Sequence, residues 1–122
     1  MTSPEPLSLI IEDHPDIAEV IAASMEAAGY RTEVIPHGAT ALERLKELTP
    51  AVVVLDLHLP GVDGEEILRY IRGDARLAGI RVVLISAEQQ QAQLLQSMAD
   101  VILLKPFSFD QLKTLASRFR PV

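Results

Sequence analysis

The chain has 122 residues, 48% of them apolar, a formal net charge of −6 and no cysteine. That length can bury a proper core, and the acidic balance argues against nucleic-acid binding through a basic face. Without cysteine there is no disulfide framework, thiolate metal site or cysteine nucleophile; with no run of about 18 apolar residues and no signal-peptide pattern, a cytoplasmic setting is expected.

Strand and helix patterns alternate five times along the chain, as expected of one domain covering residues 1–122, with residues 1–6 as an unstructured lead-in. Ser8-Leu-Ile-Ile11 reads as a first strand that runs into Glu12-Asp13. Pro15 suits a first helical turn, and Ile17, Val20, Ile21, Ser24, Met25 and Ala28 form one stripe before the capping Gly29. Arg31 to Ile35 alternates polar and apolar, as a half-exposed edge strand does. A second helix is predicted over 39–48, with Ala41, Leu42, Leu45 and Leu48 facing inward and Thr49-Pro50 as its stop. Ala51-Val-Val-Val-Leu55 is mostly β-branched, reads as a strand covered on both faces, and closes on Asp56. After the turn-rich Leu59-Pro-Gly-Val-Asp-Gly64, a third helix is predicted over about 65–72, then a connection over 73–79. Arg81-Val-Val-Leu-Ile85 ends on Ser86, a Gln-rich fourth helix covers about 88–99, and Val101-Ile-Leu-Leu104 runs into Lys105-Pro106. A fifth helix starts near Ser108 and buries Phe109, Leu112, Leu115, Ala116 and Phe119.

Five βα units of this length predict a doubly wound parallel α/β sandwich, since an eight-fold barrel needs about twice the residues. The expected strand order is 2-1-3-4-5, in which ligands bind outside the carboxyl ends of strands one and three. Glu12, Asp13 and Asp56 then converge by topology, with Ser86 and Lys105 on the same rim. Clustered carboxylates repel one another, and a hard divalent cation relieves this. Mg²⁺ prefers oxygen ligands and takes one or two carboxylates plus waters and phosphate oxygens. Glu12, Asp13 and Asp56 with one Mg²⁺ and Lys105 sum to zero charge. A phosphoryl group on one carboxylate would supply acceptors for Lys105 and the Ser86 hydroxyl.

From about Ser8 to Phe119 the chain resembles the receiver domains of two-component response regulators, of the chemotaxis-regulator-like, flavodoxin-like type. The likeness rests on Ile11-Glu12-Asp13-His14-Pro15, Asp56-Leu-His-Leu-Pro60-Gly-Val-Asp63-Gly64, Ser86-Ala87 and Lys105-Pro106-Phe107, in this order and at this spacing. It implies that Asp56 accepts a phosphoryl group from the histidine of a kinase or phosphotransfer protein. It also implies that Glu12, Asp13, Asp56 and the His58 backbone carbonyl hold Mg²⁺. Lys105 would pair with Asp56 and then the phosphoryl oxygens, Ser86 would swing to bond them, and Lys105-Pro106 would be cis. His58 and Glu88, two residues past Asp56 and Ser86, occupy positions that influence hydrolysis in the family. A surface of helix four, strand five and helix five would change its preference for an output protein, with no direct contact to nucleic acid or membrane.

Two positions depart from the family pattern. The strand-five position where many receivers carry a rotating aromatic is Ile102, and Ser86 stands where Thr is common. An aliphatic side chain cannot make the aromatic swing, so the usual relay is in question. Two competing readings remain: a degenerate receiver that docks without phosphorylation, and an aspartyl-phosphate hydrolase. The hydrolase chemistry needs a second acid where this chain has His58, and a P-loop is excluded for want of a Gly-rich Lys-Ser/Thr loop. His14 and His37 read as solvated. No effector domain is visible, so the chain reads as a stand-alone receiver or a piece of a larger protein.

Overall fold

The structure, a computed structural model, describes residues 5–120. Its five parallel strands are β1 (Leu7–Ile11), β2 (Arg31–Ile35), β3 (Val52–Asp56), β4 (Arg81–Ser86) and β5 (Val101–Leu104), in the expected order β2-β1-β3-β4-β5. The helices are α1 (Pro15–Ala27), α2 (Gly38–Glu47), α3 (Gly64–Gly73), α4 (Gln89–Leu94) and α5 (Phe109–Phe119). Among the described residues no helix is long and apolar enough to cross a membrane.

The period of two along each strand divides the core into layers on opposite faces of the sheet. Leu9, Ile11, Val53, Leu55, Val82 and Leu84 pack with Ala41 and Leu45 of α2 and Ile67, Leu68 and Ile71 of α3. Ile10, Val52, Val54, Val83 and Ile85 pack with Ile21 and Met25 of α1 and Leu112 and Ala116 of α5. Every residue of β3 is buried, which is why its sequence shows no alternation. The edge strand β2 is half-exposed as expected, but its burial does not alternate: Arg31 and Val34 are exposed, Thr32 and Glu33 half-buried and Ile35 buried. Tyr30 ties the layer on the α1 side together, its hydroxyl donating to the Ala116 carbonyl oxygen at 2.8 Å.

Several local expectations need correction. Residues 1–4 of the predicted lead-in lie outside the described residues, but Glu5 and Pro6 are pinned: the Arg31 N–H donates to Pro6 O (2.8 Å) and Arg31 Nε to Glu5 O (3.2 Å). Val20 is 41% exposed and Ala18 is buried in its place. At about 100° per residue Val20 sits a quarter-turn from the stripe's centre at Ile21. Helix four is shorter than predicted, a six-residue α4 followed by a 3₁₀ turn over Gln96–Met98. Only Ala92 of α4 is buried and Leu94 is 83% exposed, so no apolar stripe extends the helix. In α5, Leu112 and Ala116 are buried, Leu115 and Phe119 are half-buried, and Phe109 faces outward. Leu48 is half-buried just past the end of α2. The fifth helix starts next to Ser108 as expected, and Ser108 caps it through a capping box with Gln111.

Candidate functional site

β1 and β3 pair with Ile11 level with Leu55, so Glu12, Asp13 and Asp56 emerge side by side at the carboxyl rim. The end of β5 delivers Lys105, whose N–H donates to Ser86 O at 2.9 Å and joins the last two strand ends. The Lys105-Pro106 bond is cis, as the resemblance implies. Glu12, Asp56 and Ser86 are buried, while Asp13 and Lys105 are half-buried at the mouth.

The Asp56 carboxylate is held at both oxygens. Oδ1 accepts the His58 N–H at 2.9 Å and Oδ2 accepts from Lys105 Nζ at 3.1 Å. Lys105 Nζ also lies 3.7 Å from Glu12 Oε1. Glu12 Oε2 accepts the His14 N–H at 3.2 Å, but Glu12 Oε1 and Asp13 Oδ1 are buried with no hydrogen-bond partner. Burial pushes the Glu12 carboxyl up to about 7. The neighbouring Asp56 carboxylate and its charge add to this, against the pull of the His14 N–H and Lys105.

Two buried, donor-less carboxylate oxygens beside a third carboxylate suit a hard cation. Ligand atoms of Glu12, Asp13, His14 and Asp56 lie within 4.8 Å of one another. The oxygen donors fit Mg²⁺ directly. His14, read from sequence as merely solvated, has an exposed ring whose Nδ1 lies 3.4 Å from Glu12 Oε2 and 3.3 Å from Asp13 Oδ1. Its proximity follows from the turn into α1, and adjacency to Glu12-Asp13 was the only sequence sign of it.

Ser86 is brought to the rim, yet its hydroxyl is engaged elsewhere. Oγ accepts the Glu88 N–H at 2.9 Å and donates to the Glu88 carbonyl oxygen at 3.2 Å, closing a turn before α4. Above it, His58 Nε2 lies 3.6 Å from Glu88 Oε1, an exposed pair that joins the loops after β3 and β4. Ile102 is not at the rim. It is half-buried against the α2/α3 layer and lines a groove with Gln89, Ala92, Gln93, Gln96 and Leu104. Gly64 was legible only as part of a turn, but its role is close approach. A Cβ there would lie 2.4 Å from the Asp56 carbonyl oxygen and 2.6 Å from Leu57 Cα.

Comparison with known proteins agrees with this geometry. The family model for the response regulator receiver domain matches residues 8–117. The DNA-binding response regulator MtrA of Mycolicibacterium smegmatis is 35% identical over 115 residues, which are 92% of this chain and 48% of that protein. The chain thus spans about half the length of the curated relatives it matches. The receiver domain of a sensor histidine kinase from Pseudomonas aeruginosa PAO1, solved with a magnesium ion coordinated in its active-site cleft, superposes with a TM-score of 0.85. It is 25% identical, over 94% of this chain and 97% of that one. Chemotaxis response regulator CheY4 of Vibrio cholerae shares the fold, with a TM-score of 0.85 at 21% identity over 94% of this chain and 98% of that one. Strand order, the acids and lysine gathered at the rim and the family match over nearly the whole chain agree: this chain belongs to the response-regulator receiver family.

Proposed function

We propose that the chain is a phosphorylation-controlled signalling switch whose phosphoacceptor is Asp56. The observation that carries this is the pairing of Asp56 Oδ2 with Lys105 Nζ at 3.1 Å beside the donor-less oxygens of Glu12 and Asp13. An Asp56 oxygen attacks the phosphorus of a phosphohistidine on a kinase or phosphotransfer protein. A P–O bond forms, the P–N bond breaks, and the departing imidazole keeps the electron pair and takes a proton from solvent. Glu12, Asp13, Asp56 and the His58 carbonyl would hold Mg²⁺, which supplies charge neutralisation on the transferring group. Lys105 then turns to the phosphoryl oxygens, and the Ser86 hydroxyl leaves Glu88 to bond them. The His58–Glu88 pair lies over the same opening, and we assign it control of how fast water removes the phosphoryl group.

A groove of about 540 Å³ beside Lys105, lined by Ile17, Val20, Pro106 and Phe107, gives the phosphodonor protein an apolar seat next to the site. The output partner would read α4, β5 and α5, where Leu94, Leu104 and Phe109 are exposed. MtrA is described as DNA-binding, and we propose no nucleic-acid contact for this receiver, whose chain carries a net charge of −6. A cytoplasmic setting is inferred from the family alone.

The test is incubation with Mg²⁺ and a small phosphodonor, followed by intact mass. One phosphoryl group is expected on the wild type and none on Asp56→Asn. A wild type that gains none, even with a kinase, would sink this reading in favour of a docking module that works without phosphorylation.

A further inference from the structure

Gly38 opens α2, and its own backbone does not call for glycine, since the positive-φ glycines among the described residues are Gly29 and Gly61. Alanine is the better helix former at such a position. The demand comes from outside the helix. A Cβ on Gly38 would lie 2.1 Å from the Val62 carbonyl oxygen and 3.1 Å from Val62 Cβ. Val62 belongs to the connection between β3 and α3, residues 57–63, which also carries His58.

That connection is gripped at its feet as well. The Leu57 N–H donates to Ile85 O at 2.9 Å, the Gly64 N–H donates to Leu57 O at 3.1 Å, and Leu57 and Leu59 are buried. Beyond them Pro60 and Gly61 are exposed, and Val62 is the point where the arch rests on α2. On the other side of the contact α2 cannot readily retreat. Ala41 and Leu45 are fully buried, and Arg44 grips Glu33 of β2 through two hydrogen bonds of 2.6 and 2.8 Å. A methyl group on Gly38 therefore displaces the connection rather than the helix.

We propose that Gly38 is a positioning residue for the metal site: its bare Cα seats the β3–α3 connection so that His58 holds Asp56 and presents its carbonyl to Mg²⁺. This rests on reading Glu12, Asp13 and Asp56 as a Mg²⁺-dependent phosphoacceptor site. The variant Gly38→Ala tests it, with Gly73→Ala as control because a Cβ on Gly73 meets nothing within 4 Å. Outer-shell changes typically weaken a metal by roughly 10- to 100-fold, and calorimetric Mg²⁺ titration of Gly38→Ala should show a loss in that range. In the metal-free protein the His58 amide should exchange with solvent faster, while Gly73→Ala matches wild type in both measurements. Val62→Gly loosens the same contact without crowding α2 and should also weaken Mg²⁺, so the inference stays testable if Gly38→Ala does not fold. Unchanged Mg²⁺ affinity and His58 exchange in Gly38→Ala, or wild-type affinity in Val62→Gly, would overturn the inference alone. A wild type that binds no Mg²⁺ would overturn the reading of the site on which it rests.

Discussion

The two ends of the sheet treat polar groups in opposite ways. At the carboxyl rim, Glu12 Oε1 and Asp13 Oδ1 are buried without a donor, and Glu12 and Asp56 share one lysine. At the amino rim, arginines close off what the helices leave open. Arg72 donates to Met98 O (2.7 Å), Ile80 O (2.7 Å), Ala78 O (2.9 Å) and Asp100 Oδ2 (3.0 Å). Arg76 caps the end of α2 through Leu45 O, Leu48 O (2.8 Å) and Thr49 Oγ1 (2.7 Å). Burial opposes ionisation of Asp100, but the Val82 N–H, Arg81 and Arg72 outweigh it and hold that carboxyl below its usual range. Helices antiparallel to the strands bring their carbonyl ends to the amino rim, where cations are favoured. One end is closed by hydrogen bonds, and the other leaves buried carboxylate oxygens unpaired, as the proposed Mg²⁺ site would require.

Arg72→Ala should therefore break the closed end and spare the open one. It strips the hydrogen bonds from Met98, Ile80, Ala78 and Asp100 at a half-buried site, so unfolding in urea should show a loss of about 3 kcal/mol. Mg²⁺ affinity, measured on the folded variant, should stay at the wild-type value. A matching loss of metal binding would mean the two rims are coupled and the contrast is false.

The open rim was the more legible end in the sequence. Each strand announces itself as an apolar run, and the residue that ends or follows it stands at the rim, so the rim positions of Asp56, Ser86 and Lys105 are legible in the sequence. The closed rim had no such sign, because most of Arg72's partners are main-chain carbonyls, which every residue carries. Val20 and α4 were misread for a related reason. Apolar residues at helical spacing suggest a stripe, but which flank is covered depends on the neighbouring element. Gly38 was invisible too, since its constraint is a carbonyl 24 positions along the chain.

A second prediction turns on pH. Glu12 has its carboxyl raised from 4.5 to about 7 in the fold, so the folded state keeps a proton that the unfolded chain has already lost. That stabilisation is fully present below about 4.5 and is lost as pH rises through about 7. Metal-free protein should thus lose stability between those values, by an amount on the order of 2 kcal/mol. Glu12→Gln should flatten the profile in urea titrations from pH 5 to 8 and remove the stabilisation that Mg²⁺ confers on wild type. A Glu12→Gln profile as steep as wild type would assign the slope to other groups.

The smallest predicted effect tests the exception. Ser8 lies near the amino end of β1, fully buried, with an Oγ that has no hydrogen-bond partner among the described residues. It shares the orphaned state of Glu12 and Asp13 but stands away from the carboxyl rim, paired level with Thr32 and Val52. An unpaired buried hydroxyl costs about 1 kcal/mol or more, and removing it returns part of that. Ser8→Ala should raise the urea midpoint by up to about 1 kcal/mol of stability and leave Mg²⁺ affinity untouched. Glu12→Gln should also stabilise the metal-free fold above pH 7, yet abolish metal binding. Two buried polar atoms that both lack a partner would then separate by what their removal does: Ser8 would be a packing residue of the scaffold, and Glu12 a ligand of the proposed cation.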